Sequence, residues 1–188
     1  MKTLLEISNK WSQQQDVGHG DKGTTHSYIP EYEKLFSPYR DKKINFLEIG
    51  VAYGASLEMW YEYFNKQSKI FGVDIYTNEI APYLSDDRFE IDIVDASKED
   101  IKILYKDTKF DIIIDDGSHQ LKDQISTFNF LKDNIKEGGL FIIEDILDLD
   151  NSKNEFENLA NQNNLEFEIL DLRPIKNRYD DVLIVYKF

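Results

Sequence analysis

FLEIGVAYGASLEMW, residues 46–60, governs the reading of the whole chain. Ile44 to Ile49 form an apolar run of strand length, a glycine-bearing turn follows, and the text then takes helical spacing, with Glu48 near the strand's carboxyl end. In an open α/β sheet a nucleotide-like ligand binds at such a turn, because backbone N–H groups and a helix N-terminus converge there. Gly50 and Gly54 flank the turn, where a missing Cβ lets the backbone take unusual torsions and approach a ligand closely. That spacing alone also fits plain strand-to-helix packing. The dinucleotide fingerprint G-x-G-x-x-G is absent, since Ala52 stands where its second glycine belongs.

Beyond the turn, helices and apolar strands alternate: a helix over 55–66, strand 69–74, a turn and short helix containing Pro82, strand 88–94, and a helix over 97–106. Strand 110–116 follows, then a helix over 120–136 that Gly138 and Gly139 stop before LFIIEDI. Strict alternation of this kind means βαβ units and a mostly parallel sheet. After residue 145 a polar helix with Phe156, Leu159 and Ala160 as its buried stripe leads to LEFEILDL and DVLIVYKF, two strands with no helix between them and therefore antiparallel. Upstream, residues 2–15 are expected to be helical with Leu4, Leu5 and Ile7 as apolar positions, and Pro30 opens a helix carrying Tyr32, Leu35, Phe36 and Tyr39. The segment DVGHGDKGTTHSY between them is too polar to be core.

The chain has 188 residues, a net charge of −14 and no Cys. One domain of this length buries a core without disulfides. Any metal has to be held by carboxylate, imidazole or water. The acidity argues against a nucleic-acid partner, whose binding depends on Lys and Arg neutralising phosphates, and fits a neutral or locally chelated small-molecule substrate. No secretory signal or membrane-spanning run is legible, so a soluble, cytoplasmic protein is expected, with no membrane partner.

Two sets of acids carry the chemistry. Asp74 ends IFGVD, 24 residues after Gly50, where an acid is placed to accept both hydroxyls of an adenosine ribose; its alternative role is to cap the next helix. Asp95, in IVDAS, either meets an adenine edge or caps the helix at Ser97. The second set is DIIIDDGSHQ and GGLFIIEDI, which bring Asp115, Asp116, His119, Glu144 and Asp145 to the carboxyl ends of two successive strands on one rim. Carboxylates this close repel, so one must take a proton or a cation must join them. All-oxygen ligation with room for water suits Mg²⁺ or Mn²⁺ rather than Zn²⁺. His119 is read as the only histidine near the pairs, with His19 and His26 at the surface.

Four stretches together resemble the metal-dependent sugar O-methyltransferases of macrolide biosynthesis, of the mycinamicin and macrocin type, and related glycan-cluster enzymes. These are D-K-G-T-x-H-x-Y at 21–28, L-E-I-G-V-x-x-G-x-S-L-x-M-W at 47–60, D-D-G-S-H at 115–119 and I-E-D at 143–145. The resemblance implies a Rossmann-like fold of class I S-adenosylmethionine (SAM) methyltransferases, with strand order 3-2-1-4-5-7-6 and strand 7 antiparallel. It implies one domain, with a helical and loop cap over 1–43 on a core over 44–188. Asp116, Glu144 and Asp145 would be Mg²⁺ ligands, and His119 the base that deprotonates a substrate hydroxyl at the metal. Lys22, Glu48, Gly50, Gly54, Ser56, Asp74, Asp95 and Asp115 would form the SAM side. Ala55 departs from the family, standing at the second position of its glycine pair. The acceptor is expected to be a sugar, with a catechol-like diol or phosphorus oxyacid as alternatives, or a non-catalytic SAM-binding role; an aromatic wall built from Tyr28, Tyr32 and Trp60 would favour catechol. The family's mycinamicin enzyme has a further N-terminal domain, so a homo-oligomer is not carried over from it.

Overall fold

The computed structural model describes residues 2–12, 20–76 and 86–188. In these, three short helices come first: α1 (Leu4–Ser12), α2 (Asp21–Thr24) and α3 (Ile29–Phe36). The alternating part runs β1 (Asn45–Ile49), α4 (Ala55–Tyr63), β2 (Lys69–Asp74), β3 (Phe89–Ile93), α5 (Asp100–Leu104), β4 (Phe110–Asp115), α6 (Leu121–Leu131) and β5 (Ile135–Ile143). It closes with α7 (Leu149–Asn163), β6 (Glu166–Asp171), the single turn α8 (Arg173–Lys176) and β7 (Val182–Lys187). The strands form one sheet in the order β3-β2-β1-β4-β5-β7-β6. β1 is central and parallel to both neighbours, Phe46 facing Ile70 on one side and Ile112 on the other. β7 is antiparallel to β5 and β6, as expected of a hairpin end.

Alternation along the buried strands builds a core on each face of the sheet. Phe46, Ile112 and Ile142 join Phe36, Trp60 and Phe64 on one side, while Leu47, Ile113 and Phe141 join Phe110, Phe128 and Phe156 on the other. A strand covered on both faces has no polar side, which explains the unbroken apolar texts III at 112–114 and LFII at 140–143. The stripe Phe156, Leu159 and Ala160 is buried as read from the sequence. α1 packs on α3 and α4 through Leu4 and Ile7, whereas Leu5 turns outward at 53% exposure, against the expected apolar stripe.

Several boundaries differ from expectation. α4 stops at Tyr63, and the helix expected over 97–106 shrinks to α5. The long helix expected to reach residue 136 ends at Leu131, a 3₁₀ turn covers Lys132–Asn134, and Gly138 and Gly139 lie inside β5 instead of stopping a helix. There they make an irregularity in the β4–β5 pairing, with Gly138 at φ 73°. A bulge of this kind uses the left-handed region that glycine enters without penalty. The turn and short helix with Pro82, and His19, lie outside the described residues. Among the described residues no helix is long and apolar enough to cross a membrane.

Two of the three positive-φ glycines among the described residues, Gly50 and Gly138, make opposite demands. A Cβ on Gly50, at φ 87°, would stand 2.0 Å from the Asp116 carbonyl oxygen, whereas one on Gly138 would meet nothing within 4 Å. Gly138→Ala is expected to cost only the left-handed backbone penalty, about 1–2 kcal/mol, and Gly50→Ala more than about 4 kcal/mol. Urea unfolding of the two variants checks the ranking, and equal losses would contradict it.

Candidate functional site

Hydrogen bonds continue past the strand ends and set the site's frame. Asp116 N–H donates to Ile49 O at 2.9 Å and Glu144 N–H to Asp115 O at 3.0 Å, so the first residues after β1, β4 and β5 stand side by side. The glycine turn is shaped by this crowding. Gly50 is required by the backbone of Asp116, rather than by a ligand approaching from outside.

Asp74 holds the turn from the other side. Its Oδ2 accepts the N–H groups of Val51 and Ala52, and its Oδ1 those of Ile75 and Tyr76, at 2.7–3.1 Å. A carboxylate has about four lone-pair positions, so backbone donors fill Asp74 in this arrangement. Ala52, at φ 46°, takes the left-handed conformation without being glycine, and these two bonds to Asp74 help hold it there. Asp95 accepts from Ser97 N–H and Oγ–H within a turn, and since α5 begins only at Asp100 it caps no helix there.

A cavity of about 570 Å³ opens between these elements, within the range of small-molecule sites. Ile49, Val73, Val94 and Ala96 give it apolar walls; Gly50, Ser56, Asp74 and Asp95 line it, and Lys22, Asp115, Asp116 and His119 lie along it as well. Glu48 stands outside its lining, fully buried, and touches it through Ser56, whose hydroxyl donates to Oε2 at 2.6 Å, and through Lys22.

The acids beyond that end are met by the segment read from sequence as too polar for core. Lys22, His26 and Ser27 are buried. Lys22 Nζ lies 2.7 Å from Asp116 Oδ2, 2.7 Å from Glu144 Oε1 and 3.2 Å from Glu48 Oε1. Tyr32 donates its hydroxyl to Glu144 Oε1 at 2.5 Å, and Tyr28 to Asp145 Oδ1 at 2.6 Å. His26, expected at the surface, stacks on Tyr28 and places Nδ1 3.4 Å from Asp145 Oδ1 and 3.5 Å from Asp181 Oδ1, so His119 is not the only histidine at the acid pairs. His119 Nε2 is 3.3 Å from Asp116 Oδ1 and its Nδ1 3.7 Å from Asp145 Oδ2. The expected trio Asp116, Glu144 and Asp145 is divided between two neighbouring groups. Among the described residues, two trios with ligand atoms within 4.8 Å share Asp116: Asp116 with His119 and Asp145, and Asp116 with Glu48 and Glu144.

Burial and mutual repulsion decide the charges. Burial would raise Asp116, but Lys22 and His119 outweigh it and hold its carboxyl below the ordinary value. Burial, then the Asp116 charge, pushes Glu144 well up, and the same two causes raise Asp145. Glu48 is raised by burial against the pull of Lys22, and burial brings Asp115 to about 7. Contact with Asp116, against a smaller effect of burial, lifts His119 to about 9. His119 and Asp145 both sit at positive φ, 57° and 54°. Non-glycine residues held there cost on the order of 1–3 kcal/mol each and gather at sites where geometry is constrained.

Sequence reading gives Asp180 and Asp181 no place in the site, takes His26 for surface, and offers Tyr28 and Tyr32 only as an aromatic wall. Asp181 accepts Ser27 N–H at 3.0 Å, and Asp180 O accepts the Tyr28 hydroxyl at 3.2 Å. A signal existed: Asp180-Asp181 is another adjacent acid pair, and because β7 runs antiparallel its beginning lies beside the end of β5. Tyr28, Tyr32 and Trp60 are fully buried, so they make no aromatic wall.

A family model described as "Methyltransferase domain" matches residues 40–183. The 8-demethyl-8-alpha-L-rhamnosyl tetracenomycin-C 2'-O-methyltransferase of Streptomyces olivaceus is 33% identical over 145 residues, which are 68% of this chain and 35% of that protein. Mycinamicin VI 2''-O-methyltransferase of Micromonospora griseorubida is 34% identical over 135 residues, 66% of this chain and 33% of that one. The chain thus spans about a third of the length of these relatives. Among solved structures, the MycE methyltransferase from the mycinamycin biosynthetic pathway in complex with Mg and SAH aligns over 99% of this chain and 55% of its own, with a TM-score of 0.77 at 24% identity, a likeness of fold. A match through most of the sequence, carried on a sheet of this strand order, makes the chain a member of the methyltransferase domain family.

Proposed function

We propose that the protein is a SAM-dependent O-methyltransferase that uses a divalent cation, Mg²⁺ or Mn²⁺, to methylate a hydroxyl of a sugar or similar oxygen-rich small molecule. The observation that carries this reading is the cavity's composition: one end is a turn whose amides Asp74 already occupies, and the other is a nest of acids. A dinucleotide needs those amides for its pyrophosphate. Here a carboxylate sits in their place, which disfavours phosphate and suits a cofactor bearing a sulfonium cation. The relatives support the acceptor class, since their names describe methylation of sugar hydroxyls. The net charge of −14 supports a non-nucleic-acid substrate. Residues 1–188 are read as one domain, with 1–43 capping the core over 44–188.

The donor set fits a hard cation. Carboxylate oxygens of Asp116 and Asp145 face one space, and burial leaves Glu144 and Asp145 short of compensating positive charge. Asp116, Glu144 and Asp145 would hold it, with Lys22 and Tyr32 fixing Glu144 from behind and Tyr28 fixing Asp145. When bound, such an ion supplies Lewis acidity to an acceptor hydroxyl and positive charge to the cluster. When bound, SAM supplies a methyl group, which passes to the acceptor oxygen while the C–S electron pair stays on sulfur.

The chain's own residues provide orientation and proton transfer. Ser56, Gly50 and Asp74 would seat the cofactor, with a ribose competing for Asp74 Oδ1 against the Ile75 and Tyr76 amides. Asp95 and Asp115 border the same cavity. His119, which contact with Asp116 raises to about 9, would take the hydroxyl proton where a bound cation offsets the Asp116 charge and leaves the imidazole neutral. A base of this kind contributes roughly 10²- to 10⁴-fold. The convergence of His119 with Asp116 and Asp145 favours a second reading, in which the imidazole is itself a ligand.

Three outcomes are expected. Calorimetric titration should show SAM binding and no NAD binding, and methyl transfer to a panel of glycosides should stop in EDTA and return with Mg²⁺; transfer that persists in EDTA would remove the cation. His119→Ala should lower turnover by about 10²- to 10⁴-fold with SAM and Mn²⁺ affinities nearly unchanged. A parallel fall in Mn²⁺ affinity would instead make His119 a ligand. Tyr28→Phe, which frees Asp145 Oδ1, should weaken Mn²⁺ binding by about tenfold or more, the size expected of an outer partner to a ligand, and unchanged affinity would show that Tyr28 only packs.

A further inference from the structure

Two cation-sized groups of ligand atoms share Asp116, and one of them already contains a cation. Lys22 Nζ lies within 3.2 Å of an oxygen from each of Glu48, Asp116 and Glu144. The lysine is 2% exposed, and Glu48 Oε1 has no hydrogen-bond partner among the described residues, leaving the ammonium 3.2 Å away as its countercharge.

We propose that Lys22 is a tethered cation filling the second position of a two-cation acid cluster, so that the protein takes up one exchangeable divalent ion where its carboxylates have places for two. The proposal rests on the cation-dependent reading above for the first position only. Carboxylate clusters that bridge two metal ions usually hold them about 3.5–4 Å apart across a shared carboxylate, and Asp116 is placed as such a bridge, Oδ2 toward Lys22 and Oδ1 toward His119. An ammonium carries one charge instead of two and cannot dissociate. Glu48, Asp116 and Glu144 therefore stay assembled when the exchangeable ion leaves, and the strand ends of β1, β4 and β5 remain locked beside the cofactor cavity, which Lys22 also lines. The lysine is carried on α2, whose end is pinned by Lys176, donating to the carbonyls of Gly23, Thr24 and His26.

The test counts Mn²⁺ ions by calorimetry and by electron paramagnetic resonance at one pH. Wild type should bind one ion, and Lys22→Ala two, the second displaced by millimolar methylammonium. Lys22→Met, which fills the space without charge, should bind one ion and lose thermal stability that Mn²⁺ does not restore; in Lys22→Ala the stability lost in EDTA should return with Mn²⁺. Two ions in wild type, no additional ion in Lys22→Ala, or a Lys22→Ala protein that stays unfolded in both Mn²⁺ and methylammonium would each overturn the proposal. No ion in wild type together with one in Lys22→Ala would uphold it while removing the cation from the proposed function.

Discussion

Acids at the ends of neighbouring parallel strands repel, and the structure around this sheet depends on how that repulsion is answered. At an effective dielectric constant near 20, two like charges about 4 Å apart cost about 4 kcal/mol, a large fraction of the stability of a domain. Glu48, Asp116 and Glu144 in one group, and Asp116 and Asp145 in another, bring carboxylate oxygens within 4.8 Å because the β1, β4 and β5 ends are stitched to each other by backbone hydrogen bonds. The answer is supplied from outside the sheet. Lys22 takes Glu48, Asp116 and Glu144, while Tyr28, His26 and Tyr32 meet Asp145 and Glu144, all from one stretch of 11 residues, 22–32. Lys22, His26, Tyr28 and Tyr32 are buried because of their partners, and removing them would leave the acids exposed to one another.

The same logic explains the glycine turn. Asp74 serves as an anion inside a ring of amides that other open α/β proteins leave for phosphate. One carboxylate there stabilises a strained turn through Ala52. Gly50, in the same turn, answers a steric demand from the β4 loop.

Much of the fold was legible because its signals are local: apolar runs of strand length, helical spacing and the hairpin at the chain's end, which together imply the sheet that forms. The boundary errors were also local. Gly138 and Gly139 read as a helix stop, yet a bulge needs the same residue type, and only the pairing of Gly139 and Phe188 tells the two apart. In the site, Asp116, Glu144, Asp145 and His119 were readable from adjacency in the text. What was not readable is burial conferred at long range. DKGTTHSY looks like surface by composition, and nothing in its own spacing says that Lys22 meets residues 94 and 122 positions away. Asp180-Asp181 repeats the pattern of an acid pair at a strand, but it precedes β7 instead of following it, and only the antiparallel pairing of β7 with β5 brings that beginning to the rim where parallel strands end.

Strain and charge converge on the same two residues. His119 and Asp145 both stand in the left-handed region, on loops after β4 and β5, and their side chains face each other across 3.7 Å. A relaxed backbone at either position would point the Cβ elsewhere, so the pair faces across this gap only while the loops are held. They are held by bonds already described: Asp116 N–H to β1, Glu144 N–H to β4, and Gln124 Nε2–H to Glu144 O at 3.1 Å. The cost of the two conformations, a few kcal/mol together, is carried by the sheet's own ladder rather than by the ligands. A site strained in this way is shaped before anything binds, and the energy of binding can then go to orienting an acceptor hydroxyl instead of gathering the residues that act on it.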